Sequence, residues 1–225
     1  MKVKDQIEKM KRRDNRAYIR RVMWLDLDKR VEEVFERFKK ENPDVGVLGS
    51  LYLSKLGDDE DYRSSQLTSD RFINATHVYF GARFLGVNKF NNDTKKFSIA
   101  TESNAQLWYS QGPSGQVMVF IAPYASDLGE IEEKEIIIGY YSQPIDILAK
   151  NIERHFMVLS KYAVATSIHS SGSFSSYLYR KYLVMQDFRF KTEYRSKFIS
   201  IIERILTPSL AVLAILVSLY TAGQI

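Results

Sequence analysis

Few side chains in this sequence have the type and spacing that chemistry requires. Gly57-Asp-Asp-Glu-Asp61 gathers carboxylates, and clustered carboxylates supply the hard oxygen ligands a divalent cation takes. The loop lacks the internal glycine and ligand spacing of an EF-hand, so Asp58, Asp59 and Glu60 read first as a solvated surface loop. The histidines, His77, His155 and His169, are too scattered for a metal motif. His77 sits in an apolar stretch, where a lone histidine is usually a packing residue. His155 projects onto the apolar face of a helix, either as a buried histidine bonded to a neighbour or as a proton-sensitive contact between helices. Gly112-Pro-Ser-Gly115 has neither the Gly-Lys-Ser/Thr of a phosphate-binding loop nor the central serine of a nucleophile elbow, and reads as a hairpin turn. The absence of cysteine excludes disulfides, thiolate zinc sites and cysteine nucleophiles. No catalytic residue, metal or cofactor is expected.

Charge and hydropathy say more. The last twenty-one residues, Ile205 to Ile225, carry no charge. From 205 to 222 a helix would reach about 27 Å, close to the hydrocarbon thickness of a thin bilayer. Leu210, Leu213, Leu216 and Leu219 are the expected anchor side chains, and Thr207-Pro208 suits a helix start. A buried core helix is the alternative. Seven cations against three acids lie between Tyr177 and Arg204, which by the positive-inside tendency places the bulk of the chain in the cytoplasm. Lys191, Arg195, Lys197 and Arg204 flank a Tyr194, Phe198, Ile201, Ile205 stripe and are the expected contacts to anionic lipid; the alternative is that the stripe packs on the domain. The first twenty-one residues hold nine Lys or Arg and three Asp or Glu, and no signal-peptide pattern. That basic segment could meet lipid, nucleic acid or an acidic partner, but the near-neutral remainder makes an extended phosphate track unexpected.

These features must be positioned by one ordinary domain with helical appendages. Residues 2 to 41 read as helical, with a phase slip near Leu25-Asp-Leu-Asp28 that predicts a kink or a second helix capped by Asp26 or Asp28. Asn42-Pro-Asp44 ends that region, and Val45 to Leu56 predicts a short strand or a turn. Phe72 to Phe80, behind a possible Asp70 cap, reads as a buried helix. Between Lys95 and Ile138 the pattern turns extended and predicts a meander, with Val117 to Ala122 in mid-sheet and Ile136 to Tyr141 as a further strand. Gln143-Pro-Ile-Asp146 opens a helix whose apolar face is Leu148, Ile152, Phe156, Leu159, Tyr162 and Ala163. Ser170-Ser-Gly-Ser173 breaks it, and a returning helix runs from Phe174 to the tail. The expected fold class is α+β: a small antiparallel sheet covered by helices, a long N-terminal helical region, and a C-terminal helical hairpin ending in a transmembrane helix. Its divisions are a basic helical region at 1–41, an α+β core at 42–173, a juxtamembrane amphipathic helix at 174–204 and a transmembrane anchor at 205–222.

The stretch from Ser103-Asn-Ala-Gln-Leu-Trp108 through Gln111-Gly-Pro-Ser-Gly-Gln-Val-Met-Val-Phe-Ile-Ala-Pro-Tyr-Ala-Ser126 to the hydrophobic tail resembles a recurring pattern of uncharacterised bacterial proteins with a carboxy-terminal membrane segment. The resemblance implies a bacterial setting and membrane association, and transfers no activity. The expected function is a tail-anchored, cytoplasm-facing protein of the inner membrane, acting as a non-enzymatic adaptor, subunit or sensor. Its expected partners are membrane lipid and a protein partner or a second copy, with nucleic acid unexpected. Trp108, Tyr109 and Tyr124 are the expected partner contacts. An oligomerising pore-type effector, with Ala211, Ala214 and Ser218 letting tails approach, is the second reading. A membrane-bound enzyme using the acidic loop or His77 is the third.

Overall fold

The computed structural model describes residues 3–55, 74–91, 95–129 and 133–190. Helices α1 (Val3–Val22) and α2 (Trp24–Glu41) meet at Met23, whose own torsions stay helical. The break thus falls before the expected position and has no aspartate cap. Asp28 is engaged elsewhere, accepting the Thr76 hydroxyl at 2.6 Å and pairing with Lys55 at 3.0 Å. Trp24, Leu27, Val31, Val34, Phe35 and Phe38 recur at helical spacing and form the buried face of α2. At its end the Asn42 side-chain amide donates to the Phe38 carbonyl at 2.9 Å, and a 3-10 turn over Pro43–Leu48 follows.

The strands are β1 (Leu51–Lys55), β2 (Ala75–Phe80), β3 (Arg83–Asn91), β4 (Lys96–Ser103), β5 (Gln106–Gln111), β6 (Val117–Ala122), β7 (Ala125–Ser126) and β8 (Ile136–Tyr141). An antiparallel five-stranded sheet has the order β1-β2-β5-β6-β8, and a smaller one the order β3-β4-β7. The buried helix expected over 72–80 is therefore corrected to strand β2. Thr76, Val78 and Phe80 are buried while His77 and Tyr79 alternate with them, a period of two that β-branched Thr76 and Val78 favour. The single meander is corrected as well, because β4 belongs to the second sheet and the chain changes sheets at Asn104, which has a positive φ of 66°. Strand β6 does lie inside the sheet, between β5 and β8.

Helices α3 (Ala149–Thr166) and α4 (Phe174–Gln186) complete the described fold. Pro144–Asp146 forms only a 3-10 turn, so α3 starts later than expected and Leu148, half exposed at its N-cap, leaves the apolar face. Ile152, Phe156, Leu159, Tyr162 and Ala163 remain on it, buried with the α2 face and one side of the five-stranded sheet in a common core. The helix expected to run from Phe174 through 204 stops at Gln186. There the Asp187 carboxylate accepts the Ile137 amide at 3.2 Å and pairs with Arg189 at 2.8 Å, while the Phe188 amide donates to the Ile137 carbonyl at 3.1 Å. Hydrogen bonding to Arg189 and to backbone amides outweighs burial and holds the Asp187 carboxyl below its usual range. Among the described residues no helix is long and apolar enough to cross a membrane. Lys191, Arg195, Lys197, Arg204, Leu210, Leu213, Leu216 and Leu219 lie outside the described residues, as do Asp58, Asp59 and Glu60.

Candidate interaction site

The five-stranded sheet divides the aromatic residues between two environments. On β5, successive side chains point to opposite faces, so Leu107, Tyr109 and Gln111 face the helices while Gln106, Trp108 and Ser110 face outward. Tyr109 is completely buried, and its hydroxyl lies 3.1 Å from Nδ1 of His155. The Tyr141 hydroxyl lies 3.2 Å from Nε2 of the same ring. Burial, with Arg154 adding to it, pulls the His155 pKa down to about 3. The imidazole is neutral at pH 7, so one of its nitrogens donates to a tyrosine oxygen and the other accepts a tyrosine proton. Burial and then Tyr141 push the Tyr109 hydroxyl well up. Beside this triad a cleft of about 200 Å³ is lined by Arg154, Tyr182 and Gln186. Both ring nitrogens are already bonded, which suits a structural histidine and leaves no free base.

Tyr124 is also core. Its hydroxyl donates to the Leu48 carbonyl, and the Arg83 guanidinium lies 5.9 Å from its ring centroid. Tyr109 and Tyr124 are thus corrected from partner contacts to buried residues with internal partners, and of the expected trio only Trp108 faces outward.

On the outward side Trp108 stacks on Phe120 at 5.0 Å and on His77 at 6.1 Å, with near-parallel rings. Tyr52 stacks on Tyr79 at 5.5 Å. All three pairs are direct cross-strand neighbours, the arrangement that stabilises a sheet face. Partial burial lowers the His77 pKa, so this ring is a neutral member of the stack at pH 7. Among the described residues no group of three or more His, Asp or Glu could hold a metal ion.

A second surface was not legible in the sequence. In the β3–β4 hairpin Phe90 pairs with Phe97, Asn88 with Ile99 and Phe84 with Thr101, so four large apolar side chains share one face. Phe84 and Phe97 are each 75% exposed, and Phe90 and Ile99 about half exposed. The hairpin is held by ion pairs. Lys89 meets Asp127 at 2.9 Å, and this bond, with those from the Thr101 amide and hydroxyl, brings the Asp127 pKa to about 2. Fully buried Glu102 receives Arg83 and, at 3.1 Å, the Ile168 amide, while Arg83 also donates to Ser167 Oγ at 2.6 Å. The hairpin base is thereby pinned to the end of α3. The alternation of Phe97, Ile99 and Thr101 was readable, but which face the partner strand would leave bare was not.

The third surface is α1, which buries no residue. Lys9, Arg13, Arg16 and Arg20 follow at spacings of four, three and four, one side of a helix. The helix is attached through its last turn: Arg21 donates to the Pro113 carbonyl at 2.8 Å, and Gln111 donates to the Arg20 carbonyl at 3.2 Å. Gly115, at φ +79°, lies so close that a Cβ there would come within 2.3 Å of the Arg20 Cβ. No family model matches the chain, and no curated protein or solved structure matches it either.

Proposed function

We propose that this chain is a tail-anchored protein of the bacterial inner membrane, facing the cytoplasm, that works without catalysis as an adaptor, subunit or sensor. The observation that carries the interaction half of this reading is the β3–β4 hairpin, whose Phe84, Phe90, Phe97 and Ile99 form one exposed apolar face on a base locked by buried Glu102. Monomeric proteins seldom leave such a cluster in water, and a rigidly held one suits a protein partner. The anchoring half rests on the sequence. Segment 205–222 is the transmembrane helix, with Leu210, Leu213, Leu216 and Leu219 in the acyl region and Lys191, Arg195, Lys197 and Arg204 at anionic headgroups.

Fractionation and co-purification test both halves. Deleting 205–225 should release folded protein from membranes; folded truncated protein still in the membrane pellet would refute tail anchoring. The double variant Phe84→Ser, Phe97→Ser should stay folded, since both rings are exposed, yet lose the co-purifying protein. Two phenyl groups buried in an interface are worth about 3 kcal/mol or more, roughly a hundredfold in affinity. Equal recovery of the same partner by the variant would refute the hairpin as the contact. A defined homo-oligomer in gentle detergent, with no second protein, would favour the pore-type effector.

A further inference from the structure

The outward face of the five-stranded sheet carries no charged side chain at its strand positions. An antiparallel sheet with one wet face ordinarily alternates apolar inward with polar outward. Here the outward row through the middle of the sheet is Ser54, His77, Trp108, Phe120 and Ile137, and its histidine is held neutral at pH 7. The rows beside it add Tyr52 with Tyr79, and Met118 with Tyr140, uncharged as well. Tyr52 and Tyr140 are about half exposed. Charge is abundant elsewhere on the molecule, so its absence from this one face marks a surface suited to an apolar occupant.

The path of the chain points to what that occupant is. After α4 the chain runs along the free edge of β8, where the Asp187 carboxylate accepts from the Ile137 amide and the Phe188 amide donates to the Ile137 carbonyl, and turns Phe188 onto Tyr140 with ring centroids 4.7 Å apart and planes 11° apart. Tyr140 pairs with Met118 on the outward face, so the chain is delivered there at Phe190. The 35 residues that follow include an uncharged stretch from 205 to 222. The intervening 14 residues could span up to roughly 45 Å if extended. Five strands make a face about 19 Å across, and an eighteen-residue helix is about 27 Å long. Reach, size and polarity all match.

We propose that the chain's own apolar segment, 205–222, docks on this aromatic face before it meets a bilayer, and vacates the face when it inserts. The inference rests on the reading of that segment as a membrane anchor, and adds a regulation to it. The sheet shelters the anchor in water, and the Trp108 face is bared only on protein that has reached the membrane, so contacts made through that face would be confined to anchored molecules.

The chain has no cysteine, so single pairs can be placed without background. Ser110→Cys, on the outward side of β5, would be combined in turn with Ala211→Cys, Ala214→Cys and Ser218→Cys in full-length protein synthesised without membranes, then oxidised. At least one pair should give an intramolecular disulfide in most chains, and synthesis in the presence of vesicles containing anionic lipid should reduce it severalfold. Glu36→Cys, exposed on α2, paired with the same tail positions should give none. If no pair cross-links while the protein still inserts into vesicles, the docking proposal falls and the anchor reading stands. Disulfides formed only between chains would make a second copy the occupant and overturn the proposal. A cross-link that persists with vesicles, the protein staying in the supernatant, would uphold docking and overturn the anchor reading.

Discussion

Protonation of His155 should weaken the fold as the pH falls below 6.5. The ring is buried with both nitrogens bonded to tyrosine hydroxyls, and its pKa falls from 6.5 to about 3. The folded state therefore refuses a proton that the unfolded chain accepts below pH 6.5. Stability that is complete above that value is lost as the pH falls toward the folded pKa. At pH 4.5, two units below the unfolded value, the loss is about 3 kcal/mol, at about 1.4 kcal/mol per unit. That is a large part of a typical domain's margin. His155→Gln isolates the effect, since glutamine offers a donor and an acceptor but does not titrate. At pH 7 the variant should be less stable than the parent by about 1 to 2 kcal/mol, from imperfect hydrogen bonding. Between pH 7 and pH 4.5 the parent should lose about 3 kcal/mol more than the variant, so that the difference closes or inverts. Urea unfolding of the full chain in a non-ionic detergent, followed by far-ultraviolet circular dichroism, reads this directly. Asp127, Asp187 and His77 also have lowered pKa values, but they are common to both proteins and cancel in the comparison. Parallel stability profiles over this range would show that His155 takes up its proton in the folded state, and a neutral ring bonded to both tyrosines would be refuted.

Two further substitutions probe how the exposed elements are held. Glu102→Gln leaves the Arg83 guanidinium, with a side chain only 19% exposed, without its anion. It should cost about 3 kcal/mol in unfolding experiments, and a loss below about 0.5 kcal/mol would mean that the pair does not anchor the hairpin. Gly115→Val places a side chain against Arg20 at a positive φ. Amide-exchange protection should then fall across α1 while β5 and β6 keep theirs, and unchanged protection of α1 would show that the turn is not its attachment.

The sequence carried the helices better than the sheets because a helix declares its buried face locally. The spacing of Val31, Val34, Phe35 and Phe38, and of Ile152, Phe156 and Leu159, suffices to orient α2 and α3. Six residues of β2 do not: Thr76, Val78 and Phe80 alternate correctly, but a run that short also fits one helical turn and a half, and Asp70 offered a misleading cap. Trp108 and Tyr109 are adjacent and necessarily face opposite ways, yet nothing local says which goes inward. Tyr109 does so because its hydroxyl finds His155, 46 positions on, and the inward place of His155 on its helix was readable although its partners were not. The stop of α4 at Gln186 has no glycine or proline to announce it. It depends on Ile137, 50 residues earlier, offering its amide to Asp187.

The positions of the exposed elements constrain how they can work together. Strand β5 is entered at Gln106 from the β3–β4 hairpin through Asn104, and left at Gln111, which bonds to the end of α1. The apolar hairpin face and the basic helix are therefore attached at opposite ends of one central strand, about 17 Å apart. They also differ in chemistry. The hairpin pairs Lys89 with Asp127 and Arg83 with Glu102, whereas α1 carries a row of cations on one side and exposed Ile7 on the opposite one. An exposed apolar face suits another apolar surface, while a row of cations along one side of a helix suits an anionic surface. On the proposed anchoring, α1 is then the element placed to meet lipid and the hairpin the one placed to meet protein. Neutralising the cations of α1 should weaken membrane contact in a salt-dependent way without changing what the hairpin recovers, because the two are attached at opposite ends of β5.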